Sequence, residues 1–435
     1  MDVVVFVPGT MGTVLKTPGG EEVWPPTALE TQFGYKRKAE LMREDLVVGG
    51  VVRKVLCFGV YQPLLDQLAE IGFTESGAAK RLVPFPYDWR LDLEGSADRL
   101  AAKLSDLVAH GATSITIVAH SMGGLISRLV MESSKFQDEP WHGKINGFLA
   151  LATPHLGAPL ALARILGMDS ALGISAEDFK ELANDRRYPS GYQLLPAPAE
   201  ASCWDISRLE IDPLDIYDDH VAAQLGLDKT LLARARLVHD TLAAGRQPDH
   251  VRYFYFAGTG HKTATRVNID GSERLLTVSE DAGDGTVPMW SALPKSGQKQ
   301  FVVGEHASFF TSRIFKPVFY NLLGKDYPEP PVHAASTLDL SVHAILVKQT
   351  DAIELLLIPS FPTREIEGAL KIERTDDEAK PFVPFKDPIA VTYKGPLVPQ
   401  LKLLLDPTGE PGLYRIKFNG RPGGSSVVQF AVSDK

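Results

Sequence analysis

The residues with the clearest chemical potential form the pentapeptide Ala-His-Ser-Met-Gly, residues 119–123. An apolar run precedes the serine and an apolar-periodic segment follows it, so Ser121 lies where a strand passes directly into a helix. Such a sharp turn requires small residues two positions on either side of the serine, and Ala119 and Gly123 meet this requirement, although glycine is commoner at the first position. An ordinary structural turn would more often use Asn, Asp or Pro. The pattern therefore predicts a serine nucleophile.

A serine hydroxyl is a weak nucleophile at neutral pH, so it needs a base and a group that orients this base. In sheet proteins with this turn, the acid and the histidine follow the serine in that order. The segment EDAGDGTVP, residues 280–288, supplies Asp284 between two glycines, with Asp281 as the rival acid. His306 follows a late apolar strand in VVGEHASFF. The order predicts a Ser121–Asp284–His306 triad.

Attack on an ester also requires main-chain N–H groups that bind the oxyanion. Met122 directly follows the nucleophile, and the glycine-bounded loop VPGTMGT presents Thr10 after the first strand. We expect these two amides to be the donors. His120, beside the nucleophile, and Trp24 are predicted to contact substrate. The chemistry needs no cofactor and no metal-ligand spacing is visible, so neither is expected.

The elements that must position these groups alternate between strands and helices over the first 160 residues. Strands separated by single helices predict a doubly wound parallel sheet. A helix is predicted over residues 95–112, with Ser96 as its N-cap and Gly111 as its stop. The alternation breaks at about 157–249, which predicts an inserted cap. Residues 21–51 are apolar and bounded by Gly and Pro, and this is consistent with a lid; a loop packed on the core is the alternative.

The last quarter of the chain has a different pattern. Residues 324–336 are rich in proline and predict a semi-rigid linker after a catalytic domain of residues 1–323. Residues 337–435 contain about seven short strand patterns, which are typical of an immunoglobulin-like sandwich. Tyr414, after a Pro-Gly turn, fits a tyrosine corner. We expect this sandwich to be an accessory domain that is dispensable for the chemistry and available to a protein partner.

Composition excludes some classes of function. The 435-residue chain carries a formal net charge of −9, which argues against nucleic acid as its main partner. No segment approaches the roughly 18 unbroken apolar residues of a membrane-spanning helix. The N-terminus lacks a basic leader and a cleavage site, so a cytoplasmic protein is expected, with a mature chain whose leader has been removed as the alternative.

Six motifs together resemble the lecithin:cholesterol acyltransferase family, which includes lysosomal phospholipases and phospholipid:diacylglycerol acyltransferases. They occur in order between about residues 3 and 320: VFVPGTMGTVL, PYDWR, AHSMGG, YPSGYQLLP, GDGTVP and EHASFF. The resemblance implies an α/β-hydrolase core with a cap and a lid, acting on phospholipid esters through an acyl-serine. The apolar segment of residues 21–51 is consistent with a lid that opens at a lipid surface, so transient contact with a membrane surface is expected.

Three departures from the family pattern leave alternatives open. The lid region lacks the cysteine pair of secreted members, no leader is visible, and the C-terminal sandwich has no counterpart in the family core. We expect a serine-dependent lipid acyl hydrolase, with acyl transfer to an alcohol, hydrolysis of a non-lipid ester, or an inactive scaffold as alternatives. The intact Ser–Asp–His order argues against the scaffold.

Overall fold

The computed structural model describes residues 1–55, 58–207, 211–294, 296–328, 337–344, 346–377, 380–423 and 426–434. Most of the predicted linker, from residue 329 to residue 336, lies outside these ranges. The first elements, in chain order, are β1 (Asp2–Val7), β2 (Thr13–Lys16), β3 (Glu22–Trp24), α1 (Ala28–Phe33), α2 (Lys38–Leu41), β4 (Val47–Val51), β5 (Lys54–Val55), β6 (Phe58–Gly59), α3 (Gln62–Ile71), β7 (Lys80–Pro84), α4 (Leu93–Ala109), β8 (Ser114–His120), α5 (Met122–Glu132) and β9 (Ile145–Leu151).

The middle of the chain contains the cap and the remaining strands of the main sheet. Its elements are α6 (Pro159–Ile165), α7 (Ala176–Ala183), β10 (Cys203–Asp205), β11 (Asp212–Pro213), α8 (Asp219–Leu225), α9 (Lys229–Ala244), β12 (Arg252–Thr259), β13 (His261–Asp270), β14 (Glu273–Gly283), α10 (Met289–Ala292), β15 (Gln298–Val303) and α11 (Phe315–Leu322).

The main sheet has six parallel strands in the order β15-β12-β9-β8-β1-β7. Residues 3–7 of β1 are all buried, as expected for a continuous apolar strand that is covered by helices on both faces. The carboxyl ends of β1, β8 and β15 meet at one edge of the sheet. The loops that carry Thr10, Ser121 and His306 leave from this edge.

The helices that flank the sheet begin and end at recognisable residues. The helix α3 ends at Gly72, whose φ of 112° is a left-handed conformation that glycine adopts at low cost. The helix α4 starts earlier than predicted, because Asp92 and not Ser96 caps it; the Asp92 carboxylate accepts a hydrogen bond from the Glu94 N–H. Ser96 is fully buried inside the helix. The predicted N-cap was therefore wrong by one turn.

The cap has its own apolar cluster, to which α6, α8, α9 and the hairpin β13–β14 contribute. This hairpin belongs to a four-stranded sheet in the order β11-β10-β13-β14. The cap sheet thus joins residues on both sides of position 249, where the cap was predicted to end. The predicted lid, residues 21–51, contributes to a small sheet in the order β3-β2-β4 and to α1 and α2.

The C-terminal part is all-β, as predicted. Its strands are β16 (Leu338–Val342), β17 (Leu346–Lys348), β18 (Ile353–Pro359), β19 (Thr363–Thr375), β20 (Val383–Pro384), β21 (Ile389–Val398), β22 (Leu401–Leu405), β23 (Gly412–Arg421) and β24 (Val427–Ser433). They form a three-stranded sheet, β16-β18-β22, and a larger sheet, β17-β24-β23-β19-β20, with β21 paired to β19. Apart from the parallel pair β17–β24, the pairs are antiparallel.

The two sheets enclose one apolar core, which contains Leu355 and Leu357 from the smaller sheet and Ile366 and Ile416 from the larger sheet. The Tyr414 hydroxyl donates a hydrogen bond to the main-chain oxygen of Glu410 at 2.8 Å, as in a tyrosine corner. The fold class is therefore the predicted one: a doubly wound α/β domain of the hydrolase type with an inserted cap, followed by a β-sandwich. The domain boundaries remain predictions.

Candidate active site

The backbone at Ser121 is strained by the turn between β8 and α5. Its φ of 52° and ψ of −128° lie in a region that non-glycine residues rarely adopt. A Cβ on Gly123 would lie 2.4 Å from the main-chain oxygen of Pro8, and a Cβ on Gly9 would lie 2.7 Å from the Ser121 Cβ. These close approaches explain why small residues surround the serine. Ala119 is fully buried and fits at the position where glycine is commoner.

The three residues predicted as a triad form a hydrogen-bonded series with His306 in the middle. The Ser121 Oγ is 2.9 Å from the His306 Nε2, and the His306 Nδ1 is 2.8 Å from the Asp284 Oδ2. Because a carboxylate can only accept, Nδ1 carries the proton and Nε2 is free to accept the serine proton. This is the arrangement that general-base activation of a serine requires.

The loop after β14 holds the carboxylate oxygen of Asp284 that does not contact His306. Its Oδ1 accepts hydrogen bonds from the main-chain N–H groups of Thr286 and Val287, at 3.0 and 2.8 Å. The side chain is fully buried. Asp281, the rival acid, is exposed near the end of β14, and no hydrogen bond joins its carboxylate to His306 within the described part of the chain. The geometry favours Asp284 as the acid.

Burial and the neighbouring carboxylates shift the pKa of His306 in opposite directions. Burial lowers the pKa of His306, but the Asp284 charge and hydrogen bond and the nearby Glu305 outweigh it, so the pKa is raised above 6.5. Burial raises the pKa of the Glu305 carboxyl to about 7. Glu305 also lines the cleft at Ser121. The Glu305 carboxyl therefore titrates near neutral pH, beside a histidine whose pKa is raised.

His120 occupies a hydrogen-bonded chain that links the loops of the site. The Gly9 N–H donates to the Tyr61 hydroxyl oxygen at 2.9 Å, and this oxygen is 2.8 Å from the His120 Nδ1. The His120 Nε2 is 2.9 Å from the main-chain oxygen of His306. Since that oxygen can only accept, Nε2 carries the proton and Nδ1 accepts the Tyr61 O–H. Burial lowers the pKa of His120 well below its usual value, which keeps the ring neutral.

The two residues whose amides are predicted to bind the oxyanion lie side by side. The Thr10 hydroxyl is 3.4 Å from the Met122 sulfur, which brings the loop after β1 against the start of α5. Met122 is the first residue of α5, so its N–H has no partner within the helix. No acceptor in the described ranges takes the Thr10 N–H. Both amides are thus available, and their role as oxyanion donors stays a prediction.

A cleft of about 900 Å³ opens above Ser121. Trp24 and His120, the predicted substrate contacts, both line it. Trp24 is almost completely buried, and its indole N–H donates to the Met11 main-chain oxygen at 2.7 Å. Since the polar atoms of both rings already have partners, these residues can offer substrate only an apolar surface. Most of the cleft wall is apolar; the cap contributes Leu160, Ile165, Met168, Phe179 and Leu194.

The PYDWR motif, residues 86–90, has a structural role. Arg90 is buried, and its guanidinium forms a bidentate ion pair with the Asp88 carboxylate. It also donates to the main-chain oxygens of Leu41 and Arg43, in the predicted lid region. The motif thus attaches residues 41–43 to the main domain, a role that the sequence pattern alone did not reveal.

The described residues contain neither a candidate membrane-spanning helix nor a candidate metal site. None of the helices there is long and apolar enough to cross a membrane. Within the same ranges, no group of three or more His, Cys, Asp or Glu side chains is placed to hold a metal ion.

Comparison with known proteins supports the resemblance found in the sequence. Residues 54–216 match the model of the family described as lecithin:cholesterol acyltransferase. A protein of Arabidopsis thaliana named lecithin-cholesterol acyltransferase-like 4 is 23% identical over 337 residues, which are 64% of this chain and 60% of the relative. An uncharacterized protein of Saccharomyces cerevisiae is 27% identical over 240 residues, 52% of this chain and 33% of the relative. The chain thus spans 60% and 33% of the lengths of these relatives.

A solved structure is similar in fold. The Tle4–Tli4 complex contains a chain that superposes with a TM-score of 0.52 at 13% identity, covering 74% of this chain and 98% of that one. At this identity the similarity supports the fold alone. The match over residues 54–216 confirms the predicted resemblance to the family, and the role of each site residue remains a prediction.

Proposed function

We propose that this chain, which resembles the lecithin:cholesterol acyltransferase family, is a serine-dependent acyl hydrolase of lipid esters that acts through an acyl-serine intermediate. The single observation that carries the proposal is the hydrogen-bonded series Ser121–His306–Asp284, with distances of 2.9 and 2.8 Å. The series lies at the base of a largely apolar cleft. No cofactor is required by this chemistry.

The first half of the reaction transfers the acyl group to the enzyme. The His306 Nε2 takes the proton of the Ser121 hydroxyl while the Oγ attacks the ester carbonyl carbon. The main-chain N–H groups of Thr10 and Met122 stabilise the negative charge that develops on the carbonyl oxygen. Protonated His306 then gives its proton to the leaving alkoxide, and the C–O bond breaks. Asp284 stabilises the imidazolium throughout.

The second half releases the acyl group to an acceptor. His306 removes the proton of the acceptor hydroxyl while the hydroxyl oxygen attacks the acyl-serine carbonyl carbon. It gives this proton to the Ser121 Oγ when the bond between the acyl carbon and this Oγ breaks. Water as acceptor gives a fatty acid, whereas an alcohol gives a new ester. The triad serves both outcomes equally, so the difference lies in what the cleft admits.

An apolar cleft favours a lipid ester over a small polar one. A volume of about 900 Å³ is at the upper end of the range of about 300–1,000 Å³ found for small-molecule sites. Burial of each substrate methylene contributes about 0.8 kcal/mol. A long acyl chain can therefore provide most of the binding free energy without polar recognition. Phospholipids and other acyl lipids are the substrate class that we propose.

The test is a lipid assay with a serine variant. Purified protein is incubated with mixed lipids, and the products are read by mass spectrometry. We expect Ser121→Ala to lower turnover by about 10⁴- to 10⁶-fold without unfolding the protein. The matched control is Ser105→Ala, an exposed serine on α4, which should keep full activity. A fluorophosphonate should label Ser121 in the wild type. Substantial turnover by Ser121→Ala, or a wild type that is neither active nor labelled, would refute the proposal.

Acyl transfer to an alcohol is the second candidate, and the match of residues 54–216 to an acyltransferase family favours it. Labelled phospholipid is supplied with and without a dilute long-chain alcohol or lysolipid. Free fatty acid as the main product supports the hydrolase. An excess of acylated acceptor would identify a transferase, and cleavage of soluble esters without lipid turnover would identify a non-lipid esterase.

A further inference from the structure

Residues of the β-sandwich line part of the cleft that opens at Ser121. The cleft wall includes Val342 at the end of β16, Ala344, the strand β17, and residues 351–354 at the start of β18. Ser433, the last residue of β24, also lines it. The cleft is therefore formed by the main domain, the cap and the sandwich together. An accessory domain that is separate from the chemistry was expected, and this arrangement does not favour that separation.

The same part of the sandwich lies against the loop that carries the acid. A Cβ on Gly285, the residue after Asp284, would lie 3.5 Å from the main-chain oxygen of His343. The His343 N–H donates to the Glu354 main-chain oxygen at 3.1 Å, which ties the two ends of the β16–β18 turn together. Residues 343 and 344 and residues 346–352, which connect β16 to β18, are thus held beside the active site.

Ionic and polar contacts hold the sandwich in this place. Lys262, on β13, pairs with Glu354, and Glu280, on β14, pairs with Lys402 at 2.6 Å. Lys402 also lies 3.4 Å from Glu354. The buried His261 ring is within 3.2 Å of the Ser341 hydroxyl. Since β14 leads directly into Asp284, these contacts fix the hairpin and the cleft wall to each other.

We propose that the segment between β16 and β18, through its described residues 343, 344 and 346–352, binds a long hydrocarbon chain of the substrate ester and so sets the preference of the enzyme for long-chain esters. The inference rests on the proposed function, because the chain must belong to an ester that Ser121 attacks. Besides the polar side chains of His343, Lys348 and Asp351, this segment contributes four apolar side chains to the cleft wall, and these can contact methylenes: Ala344, Leu346, Val347 and Ala352. Each methylene that they bury should raise kcat/KM by about fourfold.

The experiment adds a carboxylate at an apolar position of the wall. Ala352 is exposed and Ala344 is half-buried, so Ala352→Asp and Ala344→Asp test the wall with little risk to the fold. Ala390→Asp is the matched control, because Ala390 is an exposed alanine on β21 of the sandwich and does not line the cleft. Rates are measured on esters of one chromogenic alcohol with acyl chains from butyrate to palmitate, and on butyrate esters of alcohols of increasing length. Melting temperatures show whether each variant folds.

We expect the wall variants to lose about tenfold or more in kcat/KM on the long-chain esters of one series while butyrate hydrolysis stays near the wild-type rate. The series that is affected tells whether the acyl chain or the alcohol chain reaches the sandwich. Unchanged length profiles in both variants would overturn the inference, and so would an equal loss on all esters. These outcomes leave phospholipid turnover by the wild type intact, whereas failure of the proposed function would abolish it.

Discussion

His306 and Asp284 are joined twice: the main-chain N–H of His306 donates to the main-chain oxygen of Asp284 at 2.9 Å, beside the side-chain bond at 2.8 Å. The main-chain bond positions the two loops independently of the carboxylate. Substitution of the acid should therefore alter the electrostatics of the histidine more than its location.

The first prediction separates the two candidate acids. Asp284→Asn should lower kcat by about 10⁴-fold, because the amide can impose the wrong tautomer on His306 and cannot stabilise its charged form. Asp281→Asn, on an exposed carboxylate in the same segment, should change kcat by less than about threefold. Steady-state kinetics on one soluble ester measures both. The opposite ranking would show that the acid is misassigned.

The second prediction concerns pH. The base must be neutral to accept the serine proton, so kcat/KM should rise with pH through the His306 pKa, which is raised above 6.5. Because the Glu305 charge contributes to this rise, Glu305→Gln should move the rising limb to lower pH. The profile of kcat/KM against pH for the two proteins provides the measurement. A limb that stays in place, or moves to higher pH, would contradict the assigned electrostatics.

The third prediction tests the hydrogen-bonded chain through Tyr61. Tyr61→Phe leaves the Gly9 N–H and the His120 Nδ1 without their shared partner, at a cost of about 1–3 kcal/mol in a buried site. Since this series of hydrogen bonds ends at the main-chain oxygen of His306, we expect kcat to fall by about 10- to 100-fold with little change in KM. Tyr217→Phe, which removes a hydroxyl from the cap, is the control. Equal effects of the two variants would show that Tyr61 is only structural.

The fourth prediction concerns stability at the PYDWR motif. Arg90→Leu leaves the Asp88 carboxylate buried without its partner, and loss of such a partner costs about 3–5 kcal/mol. Urea unfolding should show this loss. The double variant Asp88→Asn/Arg90→Leu removes the stranded charge and should recover part of the stability. Absence of any recovery would mean that the main-chain contacts of Arg90, and not the ion pair, dominate.

Much of the site could be predicted because its signals are local. The turn at Ser121 requires a strand pattern, small neighbours and a helix pattern within a few residues, and all of these can be read in order. His306 similarly follows one apolar strand. The order Ser–Asp–His then limits the choice of acid to one short segment, where two carboxylates remained.

The parts that could not be predicted depend on contacts between distant residues. Nothing near Tyr61 indicates that its hydroxyl meets Gly9 and His120. The strand β13, which is rich in polar residues, gives little apolar alternation, so its pairing with β14 in the hairpin that carries the acid could not be predicted. The N-cap was misplaced because both Asp92 and Ser96 are good capping residues. The contribution of the sandwich to the cleft wall could not be predicted, because strand patterns do not indicate which other domain a connecting segment will contact.

The backbone strain at Ser121 implies that catalysis and stability oppose each other at this residue. A non-glycine residue with a φ of 52° costs about 1–3 kcal/mol. Ser121→Gly relieves this strain and loses about 0.5–1 kcal/mol through the greater freedom of glycine in the unfolded chain. We therefore expect an inert protein that is more resistant to heat and urea than the active one. A lower melting temperature for Ser121→Gly would show that the bond to His306 outweighs the strain. Selection for stability alone, in a library without an activity screen, would then remove the nucleophile from this fold.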